Sequence, residues 1–226
     1  MGPPSMNTQS LHTPPSSVLL RAAPRHRSSP AFTLVEVIIV VALISMIFIM
    51  AVPYTLGALQ SASLTSAGDT LMQKLAQAQQ RASTENRPIA LDFYYYERDG
   101  IPGCHAMQMA SYDPATNAAT PVEPPVYWSE GRAMVIEGEL SPMFATNVLP
   151  ATTGPATLEP FKKLEATFRR VILYPNGSTS LRIPLREAYL TFISTKNYQK
   201  DLATPPPNYY TVQIDPVTGR GHSYRP

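Results

Sequence analysis

The residue whose position most suggests a chemical role is Glu36, the one ionisable side chain in an apolar run from Phe32 to Val52. A carboxylate is costly in lipid or in apolar packing. Near the start of a helix, however, it can be neutralised by a positive group or can satisfy backbone N–H groups. The pattern Thr33-x-x-Glu36 fits a capping box, in which Glu36 bonds only within its own helix start. Both roles stay open on these residues alone.

No other set of side chains has a spacing typical of catalysis or of metal binding. Cys104, the only cysteine, adjoins His105. Neighbours on a strand point to opposite faces, so these two cannot form a thiol–imidazole pair. The spacings of zinc sites and EF-hands are absent, and Asp92, Glu97 and Asp99 come closest to a calcium site. We therefore expect no enzyme activity, no cofactor and no metal.

The charge balance argues against a nucleic-acid partner. The formal net charge is +2, from 18 basic and 16 acidic residues. Residues 1–31 contain three arginines and no acid, so the remainder carries 15 basic against 16 acidic residues. Nucleic-acid binding requires a basic patch or stripe. The one local candidate is interpreted as a solvated face; it consists of Lys162, Lys163, Arg169 and Arg170.

The element that positions Glu36 is the apolar run itself. Its 21 residues would span about 30 Å as a helix, which is the thickness of the hydrocarbon core of a bilayer. Arginines precede it and no acid does, so the positive-inside rule predicts a cytoplasmic N-terminus. The alternative is a secretory signal peptide cut near Ser61–Ser63. That reading is disfavoured because the helical pattern continues through the cut.

The sequence Phe32-Thr33-Leu34-Val35-Glu36-Val37 resembles the prepilin signal of type IV pilins and type II secretion pseudopilins. The resemblance implies that residues 1–31 are a leader, cut between Ala31 and Phe32 by a prepilin peptidase. Phe32 would then be N-methylated, and Glu36 would be the assembly acid that pairs with the Phe32 amine of a neighbouring subunit. Pro53 would kink the helix. Ala31 stands where the family nearly always has Gly.

The helix is expected to continue beyond Pro53, from about Phe32 to Thr84. Residues 32–53 form a transmembrane or filament-core half, and residues 54–87 form an amphipathic half that ends before Pro88. An apolar stripe at spacings of mostly three and four marks the face that packs on a core; it contains Leu56, Leu59, Leu64, Ala67, Leu71, Leu75, Ala78 and Ala82.

Residues 88–226 are expected to form an exported β-rich head, because the apolar period changes to two after Pro88. The predicted strands lie at 89–96, 104–112, 126–128, 133–137, 168–174, 179–183, 188–194, 209–214 and 220–224. The Pro-rich stretches 113–125 and 141–160 are predicted to be loops. Together with the helix this predicts an α+β, pilin-like fold, in which a long spine helix packs on an antiparallel sheet.

Two further stretches extend the resemblance. Leu75–Ala82 with Asn86–Ile89 is similar to the helix-to-strand junction of GspH-like minor pseudopilins. Val212–Arg220 and the ending Tyr224–Pro226 are similar to the Verru_Chthon cassette protein D family. These likenesses imply a minor pseudopilin that functions as a structural subunit of a pilus-like or secretion filament.

The implied location is the inner membrane, with a single pass and a periplasmic head before assembly. The implied partners are other pilin-like subunits, the prepilin peptidase, the inner-membrane assembly platform and the lipid bilayer. The alternative is a membrane-anchored exported binding protein whose helix is a simple tether.

Overall fold

A computed structural model describes four stretches of the chain, residues 32–128, 132–155, 165–199 and 202–226. Within them, the side chains of residues 50–56, Pro155 and Glu165 are outside the description. Contacts divide the chain into two compact units, Met1–Ile47 and Phe48–Pro226.

The described residues form one long helix and ten strands. The helix is α1 (Leu34–Glu85), and the strands are β1 (Ile89–Arg98), β2 (Ile101–Asp113), β3 (Ala118–Pro121), β4 (Val126–Tyr127), β5 (Ala133–Ile136), β6 (Thr152–Pro155), β7 (Glu165–Leu173), β8 (Tyr189–Ser194), β9 (Tyr209–Ile214) and β10 (Gly221–Tyr224). Short 3-10 turns lie at Pro142–Phe144, Leu185–Glu187 and Thr195–Asn197.

All ten strands belong to one antiparallel sheet. Its order is β10-β9-β8-β5-β2-β1-β7-β6, and β3 and β4 pair with β2 beside this path. β1 lies between β2 and β7, so Leu91 faces Met109 on one side and Val171 on the other. Because paired residues share a face, these three side chains point the same way.

The main core lies on that face of the sheet. Leu91 and Val171 belong to the same buried cluster as Leu64, Leu71 and Leu75 of α1. A smaller cluster lies on the opposite face, where Tyr94 and Phe168 pack with ring centroids 5.6 Å apart. The alternation along β1 therefore buries side chains on both faces of the sheet, as is expected of a central strand.

The predicted fold class, an α+β pilin-like fold with a long spine helix packed on a sheet head, is wrong. The described chain is mainly an antiparallel β-sheet of ten strands, and these strands supply most of the buried core. Among the described side chains of α1, the buried apolar ones all lie between Leu64 and Ala82. Residues 32–49 bury none of theirs. The prediction failed because the longest apolar run was taken to organise the fold.

The predicted strands have mixed outcomes. The sequence pattern correctly predicted eight strands, with small differences at their ends: β1, β2, β4, β5, β7, β8, β9 and β10. The strand expected at 179–183 is wrong, since only a single bridge joins Leu173 to Thr179. Two stretches expected to be loops contain β3 and β6. Both are four-residue strands that contain proline, and their pairing comes from long neighbours, β2 and β7.

Gly68 has a packing role that helix propensity alone does not indicate. A Cβ at this position would overlap with the Tyr210 ring. The Tyr210 hydroxyl donates a hydrogen bond of 2.8 Å to the Asp69 carboxylate. The glycine thus lets the ring of β9 lie directly against the helix backbone. By contrast, a Cβ at Gly57 would meet nothing within 4 Å.

Candidate assembly surface

The candidate functional surface is the N-terminal apolar segment, defined here as residues 32–47. It is helical from Leu34 onward. Thr33 occupies the N-cap position, because its Oγ1 accepts a hydrogen bond of 3.2 Å from the Glu36 N–H. Its carbonyl accepts another of 3.2 Å from the Val37 N–H. The hydroxyl of Thr33 thereby satisfies one of the backbone donors that a helix start leaves unpaired, and its carbonyl accepts the first intrahelical bond.

Every large apolar side chain of this segment is exposed. The exposed fractions run from 47% at Val40 to 79% at Phe32. Ile38, Ile39 and Val40 are consecutive, so the exposure extends around the helix and is not limited to one face. Soluble monomers rarely expose continuous apolar surface on this scale. Each such side chain gains about 1.5–3 kcal/mol when it is fully buried, so this segment requires an apolar covering.

Glu36 lies in the first turn of α1 and is exposed. A negative charge there is favoured by the helix dipole by about 0.3–1 kcal/mol. The cap that forms uses the Glu36 backbone N–H and the Thr33 hydroxyl. Among the described residues, no hydrogen bond or ion pair involves the Glu36 carboxylate. Within the described residues, only the Thr33 half of the capping box is therefore formed.

The other residues of the predicted prepilin signal lie at the limit of the described chain. Ala31 is outside the described residues, so the cleavage between Ala31 and Phe32 stays a prediction. Phe32 is described and exposed, and its methylation is likewise untested. Pro53 lies within α1, but its side chain is outside the description, and the expected kink stays a prediction.

Cys104 and His105 are both buried, and their side chains bond to different partners. Cys104 belongs to the main core cluster, and its Sγ lies 3.6 Å from the carbonyl of Ala106. Burial raises the pKa of this thiol to about 12, which keeps it protonated. The Nε2 of His105 lies 2.9 Å from the carbonyl of Ile101. This arrangement does not place a base beside a nucleophile.

Arg169 and Arg170 are two charged residues that were misinterpreted from the sequence. They do not form a solvated basic face, whereas Lys162 and Lys163 of that predicted patch lie outside the described residues. Arg169 Nε lies 2.8 Å from Glu137 Oε1, and Arg170 forms two bonds of 2.6 and 2.8 Å to the buried Asp92 carboxylate. Arg169 and Arg170 point to opposite faces of β7, and Asp92 and Arg170 are 78 positions apart, so no local sequence signal links them.

The three acids considered for calcium do not share a site. Asp92 is engaged by Arg170, whereas the Asp99 side chain is 89% exposed in the turn after β1. Across the described residues, no group of three His, Cys, Asp or Glu side chains is placed to hold a metal ion. Asp92 therefore acts in an internal ion pair.

Comparisons with models of known protein families, with curated proteins and with solved structures find no match to this chain. Over the residues that the structure describes, no helix is both long enough and apolar enough to cross a membrane.

Proposed function

We propose that this chain is a structural subunit of a type IV pilus-like or type II secretion-like filament, assembled through its N-terminal helix. The observation that carries the proposal is the N-terminal apolar segment, which exposes its side chains all round and contains one acid. Other copies of the same segment would supply the apolar covering that it requires. The prepilin-like sequence from Phe32 to Val37 supports the same assignment.

Within this proposal, the chain is inserted in the inner membrane with its N-terminus in the cytoplasm. A prepilin peptidase cuts before Phe32, and a membrane platform then transfers the helix from lipid into the filament. Glu36 neutralises the new amine of Phe32 on a neighbouring subunit. An ion pair in an apolar environment is strong only when both charges are present and well placed. The unpaired carboxylate of Glu36 in the described chain is consistent with this partner.

The alternative function is a membrane-anchored exported binding protein. One observation favours it, a groove of about 540 Å³ beside the ends of β1 and β5. Tyr95, Tyr198 and Ile136 form part of its wall, and Glu137 and Glu139 add carboxylates. The volume lies within the range of small-molecule sites. In this reading the helix contacts only lipid.

We expect Glu36→Gln to abolish filament incorporation while leaving membrane insertion intact. Breaking a buried ion pair costs about 3–5 kcal/mol, so the assembled fraction should fall by about a hundredfold or more. Insertion should be slightly easier, because a charge leaves the apolar run. The measurement compares the amounts of subunit in sheared filaments and in membranes of cells that carry the assembly machinery.

Thr33→Val is the matched control, because it removes the N-cap hydroxyl and keeps the acid. If Glu36 acts between subunits, Thr33→Val should assemble nearly as well as the wild type. Normal assembly of Glu36→Gln together with failure of Thr33→Val would restrict Glu36 to a local role at the helix start.

A further inference from the structure

The hairpin of β1 and β2 contains a β-bulge centred on His105. Tyr94 pairs with Ala106, but the next residue, Tyr95, pairs with Cys104. His105 is therefore the extra residue of β2 and has no partner opposite it on β1. Beyond the bulge the strands continue to a two-residue turn, in which Asp99 (φ 54°) and Gly100 (φ 78°) both adopt positive φ.

The part of the hairpin beyond the bulge, which we call the hairpin tip (residues 96–103), is supported on fewer sides than the rest. β1 pairs with β7 from Ile89 to Tyr95 and no further. β2 pairs with β5 only at Cys104. In the described sheet, the tip is thus a two-stranded ribbon whose strands pair only with each other. A two-stranded ribbon alone is marginally stable in water, so side-chain packing at the base of the tip decides whether it stays closed.

His105 provides part of that packing, in addition to the contact of Ile101 with the cluster that contains Met134 and Ile136. The His105 side chain has no exposed surface, and its ring centroid lies 5.2 Å from that of Tyr96 in the tip. Its Nε2 lies 2.9 Å from the Ile101 carbonyl, also in the tip. A carbonyl can only accept, so Nε2 carries the proton and Nδ1 holds the free lone pair. Nδ1 is buried, and the described residues give it no hydrogen-bond partner.

The groups that face His105 act in both directions on a second proton. The hydrogen bond to the Ile101 carbonyl favours the charged ring, but burial outweighs it. From β1, the Arg98 guanidinium opposes a positive charge on the ring, and Asp99 in the turn partly offsets it. The hydroxyl of Tyr96 is neutral, since burial raises its pKa to about 12. Tyr127 of β4 packs against the buried cluster that contains Tyr96. Burial is the largest influence, and it lowers the pKa of His105 below its ordinary value of 6.5.

We propose that the His105 bulge makes the hairpin tip an acid-sensitive element that opens when the imidazole is protonated. The added proton creates a charge and an N–H donor at Nδ1, where the described side chains and backbone provide no acceptor. An open tip exposes His105 to water and restores its ordinary affinity for protons. The closed tip is therefore fully stable above pH 6.5 and loses stability as the pH falls below that value. The part of β1 that pairs with β7, from Ile89 to Tyr95, stays paired.

The test is hydrogen exchange, read by mass spectrometry, on the full chain in detergent micelles at about pH 5 and about pH 7.5. After correction for intrinsic rates, amides of residues 96–103 should exchange severalfold faster at the lower pH, because opening then allows the uptake of a proton that the closed tip excludes. Amides of residues 89–94 serve as the internal control and should not change. His105→Gln keeps a donor for the Ile101 carbonyl and cannot titrate, so it should remove the pH dependence.

His222→Gln is the matched control, because His222 is an exposed histidine on β10. It should behave as the wild type. The proposal is overturned if the tip exchanges equally at both pH values, or if His105→Gln keeps the full pH effect. A direct titration of the His105 ring by NMR in the wild-type chain is decisive even where His105→Gln fails to fold. A pKa at or above 6.5 would contradict the proposal.

Discussion

Replacing Arg170 with alanine should lower the free energy of unfolding by about 3–5 kcal/mol, because it leaves a buried carboxylate without its counter-charge. Asp92 is 4% exposed and accepts two bonds of 2.6 and 2.8 Å from this guanidinium. Burial raises the pKa of Asp92, and the two bonds to Arg170 oppose that rise. Arg170 also lies 4.9 Å from the centroid of the Phe168 ring, so the variant loses a cation–π contact as well.

The matched control for Arg170 is Arg186→Ala. The Arg186 side chain is 83% exposed, and its ion pair with Glu187 is long, at 3.3 Å. Exposed pairs contribute about 0–1 kcal/mol. Urea unfolding followed by circular dichroism should separate the two variants clearly. The double variant Asp92→Leu with Arg170→Met should recover much of the loss, since no buried charge remains. Equal stabilities for Arg170→Ala and Arg186→Ala would mean that Asp92 is not held by Arg170.

The second large effect is expected at Leu71, where alanine should cost about 2–5 kcal/mol. Leu71 is completely buried and belongs to the cluster that also contains Leu91 and Val171 of the sheet. Truncation to alanine removes buried methyl groups and leaves a cavity that the surrounding side chains fill only partly. Urea unfolding provides the measurement here too.

Gln73→Ala is the control on the same helix. Gln73 is exposed, and a rotation of about 100° per residue places it about 200° from Leu71 around the helix axis. Its replacement should change stability by less than about 0.5 kcal/mol. A neutral Leu71→Ala would contradict the assignment of Leu71 to the core and would suggest instead that it contacts other subunits.

Local periodicity predicted the positions of the long strands but not the organisation of the sheet. β1 and β9 alternate strongly enough to be recognised from their own residues. β3 (Ala118–Pro121) and β6 (Thr152–Pro155) have no such alternation in their own residues. They form strands because they pair with the edges of β2 and β7, which a local pattern does not reveal. The apolar run at 32–52 was equally clear in the sequence, but local periodicity does not reveal how much of a helix a core buries.

Contacts between distant residues account for the rest of what the sequence did not reveal. Asp92 and Arg170 meet only because Asp92 lies opposite Arg170 in the pairing of β1 with β7. From the sequence, Gly68 is only a position that weakens the helix. The contact with the Tyr210 ring, which explains the glycine, is visible only in the fold. The N-cap at Thr33 was recognisable, since its bond to the Glu36 N–H spans three residues. Local contacts of this kind are the ones that a sequence specifies directly.

The most direct test of the proposed function is photo-crosslinking from within the N-terminal apolar segment. A photoreactive amino acid at Ile38, which is exposed, reports what covers the helix in cells that carry the assembly machinery. The filament proposal predicts adducts between copies of the chain, at successive multiples of the subunit mass, and predicts that Glu36→Gln removes them. Crosslinks to lipid alone, with the chain remaining monomeric, would contradict the proposal and would support the anchored binding protein.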